Sequence, residues 1–288
     1  MRIEVVVGVP AVRFVVVHYH IFKNGGSTLE SILEREFSDQ FSSLHGPTAD
    51  SVLDAQDLAD LLQKHPEVRA VTSHHLCYPK PEIPKVVIFD CCFLRHPFER
   101  THSIYTYLRK TAPVDALSRL AQDSTPAEFV RALIDRWPHL VSDVQTHRLA
   151  NGGAFTRPAN NGDLEKATRV LMDMAIPGVL GMFDESLVVA EYFLGPAFPG
   201  IRLEYLLKNV SRPIERLSGG KEEDWIRLWG ASVYEEIERL NQFDLELYRR
   251  AVGEIRRRLS YVPSSSHKLE DFKSRCAAAH AKYNSVSA

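Results

Sequence analysis

The segment FVVVHYHIFKNGGST, residues 14–28, joins an apolar run, a turn with two glycines and the start of a helix. The run Phe14–Val17 is largely β-branched and apolar, which predicts a buried strand. Apolar residues then recur at helical spacing, at Leu29, Ile32, Leu33 and Phe37. This spacing places the helix start near Ser27. Gly25 and Gly26 allow a sharp turn that a ligand can approach closely. The segment therefore predicts an anion-binding site at a helix N-terminus.

Composition sets the broad class of the protein. The chain has 288 residues, 44% hydrophobic and 25% charged, with a net charge of −2. This length suits one α/β domain with insertions or two small domains, with a sizeable core in either case. The lack of basic excess argues against nucleic acid as the main partner. Four irregularly spaced cysteines do not indicate a disulfide framework or a zinc site. The segment 1–10 lacks the features of a secretory signal, and no run is long enough to span a membrane. We expect a cytoplasmic protein of undetermined oligomeric state.

Apolar runs alternate with helical patterns along the chain, which predicts an α/β fold with a P-loop-like parallel sheet flanked by helices. We expect a single domain over residues 1–262 and a mobile polar tail over 263–288, with weak helical character near Leu269–Lys282. The further predicted strands are Val68–Ser73, Val86–Leu94, Val179–Phe183 and Gly200–Tyr205. The predicted helices are Ser27–Phe37, Ala55–Lys64, Pro97–Lys110, Pro126–Trp137, Asp163–Ala175, Ser186–Leu194, Glu222–Leu240 and Asp244–Leu259.

A second candidate anion site follows the strand Val86–Leu94. Arg95 stands at its carboxyl end, and Ser103 lies eight residues further on in the next helix. Ligands of open parallel sheets bind outside the carboxyl ends of the strands, so Arg95 and the Lys23 turn are expected at the same edge. A guanidinium with a hydroxyl suits a phosphate group. The alternative is that Arg95 pairs with Glu99 and that Ser103 binds nothing.

Two histidines, His74 and His75, follow the predicted strand Val68–Ser73. An imidazole with a pKa of about 6.5 accepts a proton from an alcohol at neutral pH. The alternatives are polar strand-end residues without a chemical role, or metal ligands. Metal is the least favoured, because neighbours on a strand face opposite ways and no third ligand stands nearby. His18 and His20 are predicted to be core residues or residues that support the site without touching the ligand.

Two segments carry a resemblance to a known family. HIFKNGGST, residues 20–28, resembles the "His-x-Pro-Lys-Thr-Gly-Gly-Thr-Thr/Ser" segment of sulfotransferases that use 3′-phosphoadenosine 5′-phosphosulfate (PAPS). The nearest group is the carbohydrate type that includes heparan sulfate 2-O-sulfotransferases. RHPFERTHSIY, residues 95–105, is similar to that family's "Arg-Asp-Pro-x-x-Arg-x-x-Ser-x-Tyr" segment. Weaker similarities lie at residues 73–76, 179–187 and 241–248. The chain departs from the family pattern at Phe22, Asn24 and His96.

The resemblance implies a role for each matched residue. The turn that binds the 5′-phosphosulfate would comprise Lys23, Asn24, Gly25, Gly26, Ser27 and Thr28, while Arg95 and Ser103 would bind the 3′-phosphate. Lys23 would also stabilise the charge that develops on the leaving oxygen. His75 would be the general base, because Leu76 after it fits the family's order, and His74 is the alternative. The implied reaction is sulfuryl transfer from PAPS to a hydroxyl acceptor, a carbohydrate or small metabolite, without a metal ion.

Two other functions compete with this interpretation. A P-loop kinase or hydrolase requires its lysine after the second glycine of the loop, whereas Lys23 precedes both glycines. Its magnesium would need a strand-end acid, for which Asp90 is the candidate. A non-catalytic protein that binds a nucleotide or a glycan is the second alternative. Acceptor contacts are open as well, since Gln145, His147 and Arg148 either face the acceptor or lie on a helix surface.

Overall fold

A single sheet of five parallel strands forms the centre of the protein. The computed structural model describes residues 12–48, 50–206 and 222–286, so the segment weighed above as a secretory signal lies outside the described residues. The strands are β1 (Arg13–Tyr19), β2 (Phe41–Ser43), β3 (Ala70–Ser73), β4 (Val86–Leu94) and β5 (Ile176–Val179). Their order across the sheet is β2-β3-β1-β4-β5, and helices flank both faces. The predicted α/β fold class is confirmed.

The described ranges contain these α-helices: α1 (Gly26–Phe37), α2 (Ala55–Lys64), α3 (Pro97–Leu108), α4 (Ala116–Asp123), α5 (Pro126–Arg136), α6 (Val144–Ala150), α7 (Asn161–Asp173), α8 (Phe183–Leu194), α9 (Glu222–Trp229), α10 (Ala231–Leu240), α11 (Gln242–Ser260) and α12 (Ser265–Val286). None of the described helices is both long and apolar enough to cross a bilayer.

The central strand β1 is buried from both sides of the sheet. Val15 and Val17 belong to one cluster with α2, α7 and α11, whereas Val16 belongs to another with α1, α8 and α12. This division follows from the alternation of side chains along a strand. A third cluster holds α3, α5, α9 and α10 together beside the sheet. These layers carry the ends of β1, β3 and β4 to one edge, where the candidate site lies.

Three predicted elements differ from the structure by more than small shifts of their end residues. The predicted strand Val179–Phe183 is one of them, since β5 ends at Val179 and Phe183 belongs to α8. The chain turns after Val179, whose N–H donates to the Ser186 hydroxyl over 3.1 Å. The predicted strand Gly200–Tyr205 is irregular. Glu36 and Glu191 accept its N–H groups, so side chains take the place of a neighbouring strand. The predicted helix Glu222–Leu240 is two helices, broken at Gly230, whose φ is 80°.

The strand β2 and three helices, α4, α6 and α12, are absent from the predicted elements, apart from the weak helical character expected near Leu269–Lys282. α4 and α6 are short, with 8 and 7 residues, which gives little helical periodicity to recognise. The predicted polar tail contains α12, a helix of 22 residues rather than a segment of weak helical character. Its Phe272 is fully buried in the cluster that includes α8.

Candidate functional site

The turn between β1 and α1 has the backbone geometry of an anion site. Gly25 precedes α1 with a φ of 81°, a left-handed conformation that glycine adopts without strain. Gly26 approaches His20 so closely that a Cβ atom would lie 1.9 Å from its ring. Helical bonding starts with the Thr28 N–H, which donates to the Gly25 carbonyl. The amides before it point out of the helix end, where the helix dipole favours an anion.

Lys23 is a cation without a carboxylate partner among the described residues. Its ammonium lies 3.9 Å from the centre of the Tyr107 ring, in a cation–π contact. Burial lowers the pKa of Lys23 to about 8, and the neighbouring Arg95 cation contributes in the same direction. Two like charges held together in a half-buried place favour a bound anion.

Arg95 stands directly after β4 and reaches the Lys23 turn. Its Nη1 donates to the Lys23 carbonyl over 3.1 Å, and its Nε lies 3.6 Å from Glu99 Oε2. Burial lowers the pKa of Arg95, while Glu99 acts in the opposite direction. The structure therefore contains both contacts weighed from the sequence: Arg95 shares an edge with Lys23 and also pairs with Glu99.

Ser103 lies on the same face of α3 as Tyr107, the residue whose ring contacts Lys23. Tyr107 follows Ser103 by four residues in the same helix, so the two side chains share a face. Because the Tyr107 ring contacts the Lys23 ammonium, this face of α3 borders the turn. Lys23 and Arg95 thus meet at the carboxyl edge of the sheet, and Ser103 lies one helical turn before Tyr107 on the face of α3 beside them.

Asn24 points into the protein rather than toward a ligand. Its side chain is 1% exposed, and its Nδ2 donates to the Phe93 carbonyl and to Gln145 Oε1, both at 2.8 Å. Asn24 therefore ties the turn to the end of β4. Ser27 is exposed and Thr28 half-buried in the first turn of α1, where their hydroxyls can reach a ligand.

Arg100 is a site residue for which the sequence suggested no role. It is buried, and it donates to the Phe22 carbonyl over 3.2 Å and to the Leu140 carbonyl over 2.8 Å. Burial lowers the pKa of Arg100 to about 10, against the opposing influence of Asp244. Through its bond to the Phe22 carbonyl, Arg100 stabilises the backbone directly before Lys23. The available signal was its place as the second arginine of residues 95–105.

His74 and His75 lie at the end of β3 in different environments. The Gly46 N–H donates to His75 Nδ1 over 2.8 Å, so the neutral ring of His75 carries its proton on Nε2. The His74 ring lies against the His20 ring, with ring centres 3.6 Å apart and the ring planes tilted by 31°. Burial, with His45, His75 and Arg148 nearby, lowers the pKa of His74 to about 4.

The rings of His18, His20 and His74 lie one against the next and form a histidine row. His18 stacks on His20 with centres 4.9 Å apart, and both are buried, as predicted for core residues. His18 pairs with Thr72 Oγ1 at 2.9 Å, and burial lowers the pKa of His18 to about 3. No group of three or more His, Cys, Asp or Glu side chains within the described ranges is arranged to hold a metal ion.

Of the residues weighed for acceptor contact, Arg148 alone borders the histidines. It donates to the His74 carbonyl, and its Nη1 lies 3.6 Å from Cys77 Sγ. His147 is buried and pairs with Asn151, while Gln145 is buried between Asn24 and Arg95.

Asp90 does not lie at the ligand edge. It is buried within β4 opposite Val17, four residues before the strand ends. Lys80 Nζ, at 2.7 Å, and the Ala175 N–H, at 3.1 Å, occupy its Oδ1. Asp90 is therefore a structural acid of the sheet, and it does not provide the strand-end carboxylate that the kinase interpretation requires.

The fold and site define an α/β protein with a P-loop-like parallel sheet and a cationic site at the strand ends. No protein-family model matches the chain. The chain is similar to an uncharacterized protein of Archaeoglobus fulgidus, with 26% identity over 252 residues, which cover 83% of this chain and 96% of that protein. The similarity spans nearly the whole relative and assigns no activity.

Proposed function

We propose that this protein is a sulfotransferase that moves the sulfuryl group of PAPS to a hydroxyl of a carbohydrate or small metabolite. The observation that carries the proposal is the contact between Lys23 and Arg95. These two cations come from different strand ends, and the Arg95 guanidinium donates to the Lys23 carbonyl at the edge where parallel sheets bind ligands. A ligand with two separate anionic groups suits this pair. The cytoplasmic location expected from the sequence remains part of the proposal.

The donor would bind at two points. Lys23 and the first amides of α1 bind the 5′-phosphosulfate, and Arg95 with Ser103 binds the 3′-phosphate. When the sulfuryl group leaves, negative charge grows on the bridging oxygen of the nucleotide. Lys23, placed before the helix dipole, stabilises that charge, a contribution of about 3–4 kcal/mol for one such donor. A sulfate monoester carries less charge than a transferred phosphoryl group, so the proposed step includes no metal ion.

The acceptor hydroxyl must lose its proton to a base, and the ring contacts favour His74. A neutral imidazole has one lone pair, and that of His75 is taken by the Gly46 N–H. His74 is a neutral imidazole, because burial lowers its pKa, and its lone pair can accept the hydroxyl proton. The resemblance favours His75, so the two histidines are tested side by side.

Thermal shift with two ligands tests the class. Only a ligand that binds the folded state raises the melting temperature. We expect stabilisation by the desulfated nucleotide, 3′-phosphoadenosine 5′-phosphate, and none by ATP with Mg²⁺. The reverse pattern would favour a kinase or hydrolase.

Transfer from labelled PAPS to a panel of sugars and small alcohols, followed by mass spectrometry, tests the activity. His74→Ala should lose transfer by about 10²–10⁴-fold while keeping nucleotide affinity. His75→Ala serves as the comparison, and His65→Ala, at a partly exposed histidine paired with Glu67, serves as the control. Nucleotide binding without transfer to any acceptor would favour a non-catalytic binding protein.

A further inference from the structure

Gln145 in α6 connects the two halves of the proposed donor site. Its side chain is 1% exposed and lies between the Lys23 turn and the end of β4. Its Oε1 accepts from Asn24 Nδ2 and from the Arg95 N–H, both at 2.8 Å. Its Nε2 donates to the Arg95 carbonyl at 2.9 Å and to Asp244 Oδ2 at 3.2 Å. Both lone pairs and both protons of the amide are therefore used.

The orientation of this amide is fixed by its partners. The Arg95 N–H can only donate and the Arg95 carbonyl can only accept, so the oxygen and nitrogen of Gln145 cannot exchange places. No other residue type of similar size offers two donors and two acceptor sites in one plane. Loss of this side chain would leave buried polar groups unpaired on Asn24 and on the Arg95 backbone.

Behind Gln145, the carboxylate of Asp244 holds the start of α6. Asp244 Oδ2 accepts from the Gln145 N–H at 3.0 Å, and its Oδ1 accepts from the N–H and the hydroxyl of Thr146 at 2.7 and 2.8 Å. Gln145 is thus anchored to α11 on one side while it bonds Asn24 and Arg95 on the other. The anchor leaves the Gln145 side chain little freedom.

We propose that Gln145 is a positioning residue that fixes the distance between the Lys23 turn and Arg95, so that one donor molecule engages both. The inference rests on the proposed function, because that distance matters only where a single ligand bridges the two cations. Preorganised contacts avoid the cost of ordering the site on binding. An error of about 1 Å in such a site can cost two orders of magnitude in rate.

The test compares Gln145→Ala with Thr146→Val. Thr146 lies on the same helix and bonds the same Asp244 carboxylate, yet it contacts neither Asn24 nor Arg95 through a hydrogen bond. Both variants should melt a few degrees lower than the wild type. Calorimetric titration with 3′-phosphoadenosine 5′-phosphate should show affinity at least about tenfold weaker for Gln145→Ala and unchanged within about twofold for Thr146→Val. In an Arg95→Ala background, Gln145→Ala should cost much less, because the two residues act together.

A second measurement needs no nucleotide. Burial is the main cause of the lowered pKa of Lys23, and the Arg95 cation adds to it, so NMR titration of Lys23 in lysine-labelled protein responds to the Arg95 distance as well as to burial. Gln145→Ala should raise this pKa, whereas Thr146→Val should not. Equal nucleotide affinity and equal Lys23 titration in the two variants would overturn the inference. If the wild type fails to bind the nucleotide, the proposed function is wrong, and the Lys23 titration alone decides whether Gln145 positions the cations.

Discussion

Asp143 accepts hydrogen bonds from the first amides of α11, the helix that contains Asp244. Asp244 in turn accepts hydrogen bonds from the first amides of α6, the helix that follows Asp143. Asp143 Oδ1 accepts from the N–H groups of Phe243 and Asp244 at 3.0 and 2.9 Å, at the start of α11. Asp244 accepts from the N–H groups of Gln145 and Thr146, at the start of α6. The two side chains thereby accept hydrogen bonds from backbone N–H groups that have no partner within their own helices. This exchange locks the position of α6, and hence of Gln145, against α11.

Burial and the Asp244 charge raise the pKa of Asp143 well above its ordinary value of about 4. In the pH window above 4, the folded protein therefore retains a proton that the unfolded chain releases, and stability falls as pH rises. Asp143→Asn keeps an acceptor for the two amides, and asparagine tolerates the left-handed backbone at φ 42°. We expect urea denaturation between pH 5 and pH 9 to show a smaller loss of stability for the variant. Parallel curves would contradict the shift.

Asp244→Asn should destabilise the protein by about 3 kcal/mol, because its NH₂ group would face amide donors in place of an acceptor. The wild-type carboxylate accepts four hydrogen bonds from Gln145 and Thr146. Its negative charge also favours the charged form of the buried Arg100. Asp135→Asn, an exposed position of α5, should stay within about 0.5 kcal/mol of the wild type. Equal urea midpoints for the two variants would show that Asp244 is not a stabilising centre.

Nucleotide binding should take up a proton near pH 8. Lys23 has a pKa of about 8, lowered first by burial and then by Arg95, so half of the free protein lacks this charge at that pH. A bound phosphosulfate or phosphate favours the charged form and raises the pKa. Calorimetry in two buffers of different ionisation enthalpy should detect uptake of about half a proton per nucleotide at pH 8. Lys23→Met should abolish the uptake, and Lys64→Met, in the last turn of α2, should keep it.

The sequence was sufficient for elements whose signals are local. The strand Val86–Leu94 and the helix Ala55–Lys64 have the predicted bounds. The first is an apolar run, and the second starts at the reciprocal bonds between Asp54 and Asp57. The Lys23 turn was equally recognisable, because its glycines and its helix are adjacent.

Contacts between segments far apart in the chain could not be predicted from the sequence. Gln145 meets Asp244 from 99 residues away, and no short pattern indicates that pairing. The backbone of residues 201–205 looked like a strand because its residues are apolar at alternate positions, yet carboxylates from α1 and α8 accept its amides. The inward direction of Asn24 has the same origin, since its partners Phe93 and Gln145 come from other elements.

Acid should unfold the protein through its buried histidines. Burial lowers the pKa of His18 to about 3 and the pKa values of His74, His96 and His102 to about 4. An unfolded histidine has a pKa of about 6.5. The unfolded chain thus binds more protons between these limits, and the stability present above pH 6.5 is lost as pH falls toward 4, by up to about 1.4 kcal/mol per pH unit for each group.

Replacing one such histidine should reduce this slope. His102 is buried, and its Nδ1 has no hydrogen-bond partner among the described residues. Its ring packs beside Tyr105 and Trp225, so His102→Phe retains an aromatic ring there. Urea titrations at pH 5 and pH 7 should show a smaller difference for the variant than for the wild type. An unchanged difference would mean that His102 titrates normally in the folded protein.

Gly26→Ala tests the close approach of α1 to the histidine row. The added Cβ atom would lie 1.9 Å from the His20 ring, and that ring is confined between His18 and His74, so the helix start must move. Such overpacking costs about 1–3 kcal/mol. Gly253→Ala is the matched control, because nothing lies within 4 Å of its Cβ in α11, and alanine there should add up to about 1 kcal/mol of stability. Movement of the helix start also displaces the amides beside Lys23, so Gly26→Ala should weaken binding of 3′-phosphoadenosine 5′-phosphate while Gly253→Ala leaves it unchanged. Retained affinity in a destabilised Gly26→Ala variant would show that these amides do not bind the ligand.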